Sequence, residues 1–214
     1  MYTDYILAAV TFILAMRLWR LGRVSPRFWG GAFVLTAIAA VLAGTVHGVD
    51  SDPTGPPWRI IWQIMLLCVS IAGTLALCGA VCEAVESSRS RRWWIAGATI
   101  KLMVVAIWLS RHPDFAVAMR DYLVSVVVVL ALMVYVRHTW GRAGAGEVMW
   151  GLVITLLAAG LRAAAVSPGR HFDENDLYHA VQVVGFVIVY RGVVRLNGSR
   201  VSSSDRSTLR TLVL

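Results

Sequence analysis

The stretch His171-Phe-Asp-Glu-Asn-Asp-Leu177-Tyr-His179-Ala-Val-Gln182-Val-Val-Gly-Phe186-Val-Ile-Val-Tyr-Arg-Gly-Val-Val-Arg-Leu196 joins a dense polar cluster to a long apolar run. From Leu177 to Leu196 the run is long enough to cross a hydrocarbon core, which needs about 20 mostly apolar residues as a helix. At its mouth stand two imidazoles, three carboxylates and the amide of Asn175. A short acceptor at Asn175 or Asp176 predicts the N-cap, because such a side chain satisfies free N–H groups of a first turn. From there Asn175, His179, Gln182 and Phe186 recur at helical spacing and form one face. Lipid offers a polar face no partner, so this face is expected to look into the protein.

The composition extends that reading to the whole chain. Its 214 residues are 58% hydrophobic and 15% charged, with a mean hydropathy of +0.69. Soluble domains hold roughly 25% charged residues, so an all-α, polytopic membrane bundle is predicted. Seven apolar segments are expected, at Tyr5–Trp19, Phe28–His47, Trp58–Val85, Trp93–Leu109, Phe115–Val136, Val148–Val166 and Leu177–Leu196. They are joined by short turns marked by Ser25-Pro26, Asp52-Pro53, His112-Pro113 and Ser167-Pro168-Gly169, which predicts one transmembrane domain over residues 1–196. Residues 197–214, rich in Ser and Arg, are expected to form a flexible basic cytoplasmic tail. The opening Met1-Tyr-Thr-Asp-Tyr lacks the basic region of a cleaved signal peptide, so the first segment is expected to be retained.

Charge sets an expected orientation. Arg17, Arg20, Arg23 and Arg27 follow the first segment, Arg89, Arg91 and Arg92 the third, and Arg137 and Arg142 the fifth. The alternate loops carry Asp50, Asp52, Asp114, Asp173, Glu174 and Asp176. Basic loops face the cytoplasm, which predicts an outer amino terminus and a cytoplasmic carboxyl terminus, in a membrane such as the bacterial inner membrane. The net charge of +8 is then explained by loops facing anionic lipid, and nucleic acid is not expected as a partner.

Three groups of residues carry possible chemistry. His47, His171 and His179, with Asp176, meet at the predicted outer boundary and are suitable metal ligands. Their bland alternative is a set of hydrogen bonds tying the second segment to the seventh. Asp121 is predicted to pair with Lys101, the only lysine, or with Arg120, because unpaired charge at membrane depth is costly; a proton or ion path is the functional alternative. Most of the tryptophans sit near segment ends, as an interfacial belt does. Cys68, Cys78 and Cys82 read as small packing residues. A retinal protein is disfavoured, since the seventh segment has no lysine for a Schiff base. Haem held by His47 and His179 stays open as a cofactor, as does ion handling.

A His closing the second segment, His47-Gly48, and the run Asn175-Asp-Leu-Tyr-His179-x-x-Gln182 make the chain resemble the CREST superfamily of seven-helix membrane proteins. That group includes the alkaline ceramidases and the adiponectin-receptor-like proteins, and the likeness is greatest to bacterial members. The resemblance implies zinc held by His47 and His179; at the other ligand position of the seventh helix stands Asn175, which leaves His171 as the substitute. One turn before His47 the family has Ser, and here Ala43 stands. It further implies a hydrolase of lipid amides or esters, with Asp176 taking a proton and Thr45 or Tyr178 steadying the oxyanion. The other functions considered are a non-catalytic accessory subunit or receptor-like scaffold with membrane-protein partners, and a haem- or ion-handling protein. Membrane lipids are the expected partners in every case.

Overall fold

The computed structural model of the protein describes residues 2–48, 56–169 and 172–211, with side chains described over 2–46, 58–169 and 172–198. It is all-helical: α1 (Tyr2–Trp19), α2 (Val24–Gly48), α3 (Pro56–Ala84), α4 (Ser88–Arg111), α5 (Phe115–Trp140), α6 (Ala143–Ala163) and α7 (Glu174–Thr211). Each of the seven is long and apolar enough to span a membrane, the architecture of a multi-pass membrane protein. Among the described residues there is no β-strand, only an isolated bridge between Gly169 and Phe172.

The helices outrun their apolar cores because polar residues cap them. Ser87 accepts from the Ser90 N–H and starts α4 well before Trp93, and the Asp114 carboxylate accepts from the Ala116 N–H to start α5. Gly141 ends α5 in the left-handed conformation at φ 62°, a region open to glycine without a Cβ clash. α6 begins at Ala143 and ends at Ala163, earlier at both ends than the apolar pattern suggests. α7 continues to Thr211, through most of the stretch expected to be a tail.

Chain direction alternates. Thr3 of α1 meets Asp176 of α7, Trp62 of α3 donates to the Pro113 carbonyl before α5, and Arg162 at the end of α6 lies over Tyr178. These contacts define one end of the bundle, called the upper end here, where α1, α3, α5 and α7 begin. At the lower end Arg142 reaches Glu83, and Arg195 pairs with Glu147. Helix contacts run α1–α2–α3–α5–α6–α7 and back to α1, closing a ring. α4 stands outside it, against α3 and more lightly α5, and only 11% of its span is buried.

Two kinds of packing hold the ring. Along α6 and α7, Gly144, Gly151, Gly185 and Gly192 let backbone lie on backbone. A Cβ at Gly151 would come within 2.6 Å of the Gly185 carbonyl oxygen, and one at Gly192 within 2.6 Å of the Val148 nitrogen. Small residues serve this purpose in membranes, where helix association rests on close van der Waals contact. Elsewhere large side chains fill the centre: Phe33 of α2 meets Phe186 of α7 edge to face, 5.5 Å between centroids. Trp29 corrects the belt expected for the tryptophans. It is fully buried, and a Cβ at Gly79 would lie 2.7 Å from its ring, so α3 lacks a side chain there to admit it.

The expected charge pair is present. Lys101 Nζ lies 2.7 Å from Asp121 Oδ1 and donates to Ser125 Oγ at 2.8 Å. Ser125 in turn donates to the Asp121 carbonyl at 3.0 Å. The three cysteines are buried and none of them forms a disulfide among the described residues.

Candidate functional site at the upper end of α1 and α7

The N-cap of α7 is Asp173 rather than Asn175 or Asp176. Its Oδ1 accepts from the Asn175 and Asp176 N–H groups at 2.9 and 2.8 Å. The helix therefore starts two or three residues sooner, and Asn175 and Asp176 become first-turn residues with their side chains released from capping. The predicted face holds: His179, Gln182 and Phe186 are buried and point into the bundle.

α1 supplies the partners. The Thr3 hydroxyl donates to Asp176 Oδ1 at 2.6 Å and lies 3.4 Å from His179 Nδ1. Asp4 Oδ1 stands 3.5 Å from the same Nδ1, and the Asp4 side chain is completely buried, 0% exposed. α2 closes the back of this seam. A Cβ at Gly44 would lie 2.9 Å from Asp4 Cβ, so α1 can seat its carboxylate only because α2 has a glycine there. One side of the His179 ring is thus held by a hydroxyl and a carboxylate. The other residues around it complete a polar layer. Tyr178 stacks against His179 at 4.9 Å, its hydroxyl accepts from Gln182 Nε2 at 2.9 Å, and the Arg162 guanidinium sits 5.4 Å from the Tyr178 ring centre.

The sequence-predicted residues divide accordingly. His179, Asp176 and Tyr178 come together. Thr45 donates to the Val41 carbonyl of its own helix at 2.8 Å, a back-bond within α2. His47 lies on α2 three residues beyond Gly44, and its side chain, like the whole of His171, lies outside the described residues. The pocket was expected between α2 and α7, whereas the polar contacts among described side chains join α1 to α7. Thr3 and Asp4 were missed as site residues. Their signal was present: a threonine and an acid a few residues into an apolar segment need partners at membrane depth.

Among the described residues no three His, Cys, Asp or Glu side chains form a metal-holding group. The donor chemistry nevertheless suits a cation. A carboxylate behind Nδ1 is the usual orienter of a ligating imidazole. Asn175 Oδ1, one turn before His179, is a buried acceptor with no hydrogen-bond partner. A buried carbonyl oxygen left so costs about 1–3 kcal/mol, which a cation or donor would relieve.

No curated protein and no solved structure matches the chain. A family model matches residues 1–197, which covers every element that builds the upper-end site. The chain belongs to that family, the family of unknown function DUF6962.

Proposed function

We propose that the protein is a membrane-embedded, metal-dependent hydrolase of a lipid amide or ester, with its site at the upper end of α1 and α7. The observation that carries this is the pairing of buried His179 with fully buried Asp4 across the seam. Asp4 fixes the ring's orientation and favours the proton on Nδ1, which makes the opposite nitrogen the basic one. His179 and Asn175 would hold the metal, with His47 as the partner from α2. A bound zinc ion supplies a Lewis acid and lowers the pKa of water to about 7. Asp176, kept in place by Thr3, is the carboxylate available to accept a proton. Tyr178, whose ring packs against His179, supplies a hydroxyl to steady developing negative charge, and Gln182 donates to it and orients it.

The proposed orientation puts this end outside the cell and the arginine-rich lower end in the cytoplasm, in a bacterial inner membrane. Cysteine introduced as Arg89→Cys should label only from the cytoplasmic side; labelling from outside reverses the orientation. A second function is favoured by Asn175 and Ala43, which replace a ligand and a serine of the resembled family. On that alternative the protein is a scaffold or accessory subunit that keeps the polar seam without turnover.

Protein purified without chelator should contain close to one metal per chain, and His179→Ala should remove it while leaving the helical spectrum unchanged. Asn175→His should tighten retention. Release of fatty acid from ceramide or acyl-ester lipids in proteoliposomes then separates the two functions. Metal without release from either lipid class leaves the scaffold; neither metal nor binding of added zinc removes the hydrolase altogether.

A further inference from the structure

We infer that the outer face of α4 is a binding site for one anionic phospholipid, seated head down at the lower end. Arg89, Trp93, Gly97 and Lys101 follow at four-residue intervals and make one stripe along α4. Beside it, α4 and α5 enclose a groove of about 410 Å³ whose walls include Trp93, Trp94, Gly97, Val124 and Val128, with Lys101 and Ser125 at its deep end. Trp93 and Trp94 remain 69% and 46% exposed. A Cβ at Gly97 would meet nothing within 4 Å, so this wall is open to an occupant.

The charge profile names the occupant. At the lower end of α4, just before the groove begins, Arg89 and Arg92 are exposed without lining the groove itself, and among the described residues no carboxylate pairs with either. At the deep end, Lys101 and Asp121 are 2.7 Å apart and cancel. The site is cationic at one end and neutral and apolar along its length, as an anionic headgroup with an acyl chain requires. The dimensions agree: Arg89 to Lys101 is 12 helical residues, roughly 18 Å, about one leaflet of a hydrocarbon core about 30 Å thick. Indole rings just above the arginines match the headgroup boundary, where tryptophan concentrates. Each guanidinium near an anionic lipid surface adds favourable free energy, and a planar fork binds phosphate through two hydrogen bonds.

The test offers purified full-length protein an equimolar mixture of phosphatidylglycerol and phosphatidylcholine and counts retained lipids by native mass spectrometry. Wild type should retain phosphatidylglycerol with roughly tenfold preference. The double variant Arg89→Gln, Arg92→Gln should fall to near parity, and Gly97→Leu should lower retention of the chain by filling the groove. Arg137→Gln, an exposed lower-end arginine on α5, should behave as wild type. The proposal is overturned by equal retention of both lipids in wild type, or by a double variant with undiminished preference. It is equally overturned by full retention in Gly97→Leu, or by loss in Arg137→Gln, which would mean diffuse surface charge. All these substitutions lie on exposed positions, and an unchanged unfolding temperature verifies that each variant is folded.

Discussion

Two of the places where the bundle buries charge treat it differently. Between α4 and α5, Lys101, Asp121 and Ser125 form a compact group: the ammonium meets a carboxylate at 2.7 Å and a hydroxyl at 2.8 Å. Between α1 and α7, the carboxylate of Asp4 faces an imidazole at 3.5 Å, outside ordinary hydrogen-bond length. The first group is a direct ion pair. The second contains the one residue type whose charge changes near neutral pH. A short, direct ion pair marks a strut, while the longer carboxylate–imidazole contact belongs to the layer proposed to bind a metal.

The contrast predicts a descending series of effects. Asp121→Leu strands the Lys101 ammonium and should cost about 3–5 kcal/mol, read as a lower unfolding midpoint in detergent micelles. Adding Lys101→Met should recover most of that loss, because a neutral pair needs no partner. If the double variant is as unstable as the single one, the group is more than a strut. Thr3→Val removes the hydroxyl from Asp176 and should cost about 1.5 kcal/mol, together with weaker metal retention. Loss of stability with metal retention untouched would make that contact purely structural. The smallest change is expected from Asp173→Ala, about 1 kcal/mol through the lost N-cap of α7. Hydrogen exchange should then rise in the first turn of α7 alone; exchange spreading to Gln182 would show that the cap also supports the site.

Much of the fold was legible because a membrane helix announces itself locally. Apolar runs gave seven spans, and the cost of lone charge at depth predicted a partner for Asp121, Lys101 or Arg120, of which the fold brings Lys101. Helical spacing likewise gave the buried face of His179, Gln182 and Phe186. What could not be read depends on neighbours. Asp4 looked like part of a short polar start until α2 and α7 closed around it, and its place rests on Gly44, forty residues away. Trp29 resembles a belt tryptophan in its own segment, and only the bare backbone at Gly79 turns it into core. The cap at Asp173 was missed because Asn175 and Asp176 are equally good acceptors, and only backbone geometry chooses among them.

The interlocked glycines of α6 and α7 determine which wall of the site can act as a door. With carbonyl oxygens seated where side chains would be, those two helices form a single plank, and His179 rides on it without independent freedom. α1 has no such lock on α7. Its described polar contacts there are those of Thr3 and Asp4, and it leads into α2 through a short turn with Gly22 at φ 72°. Exposure of the completely enclosed Asp4 is therefore expected to involve a shift of α1 against α7 rather than a parting of the plank. A covalent tether between the upper ends of α1 and α7 would shut the molecule without touching any group in its interior.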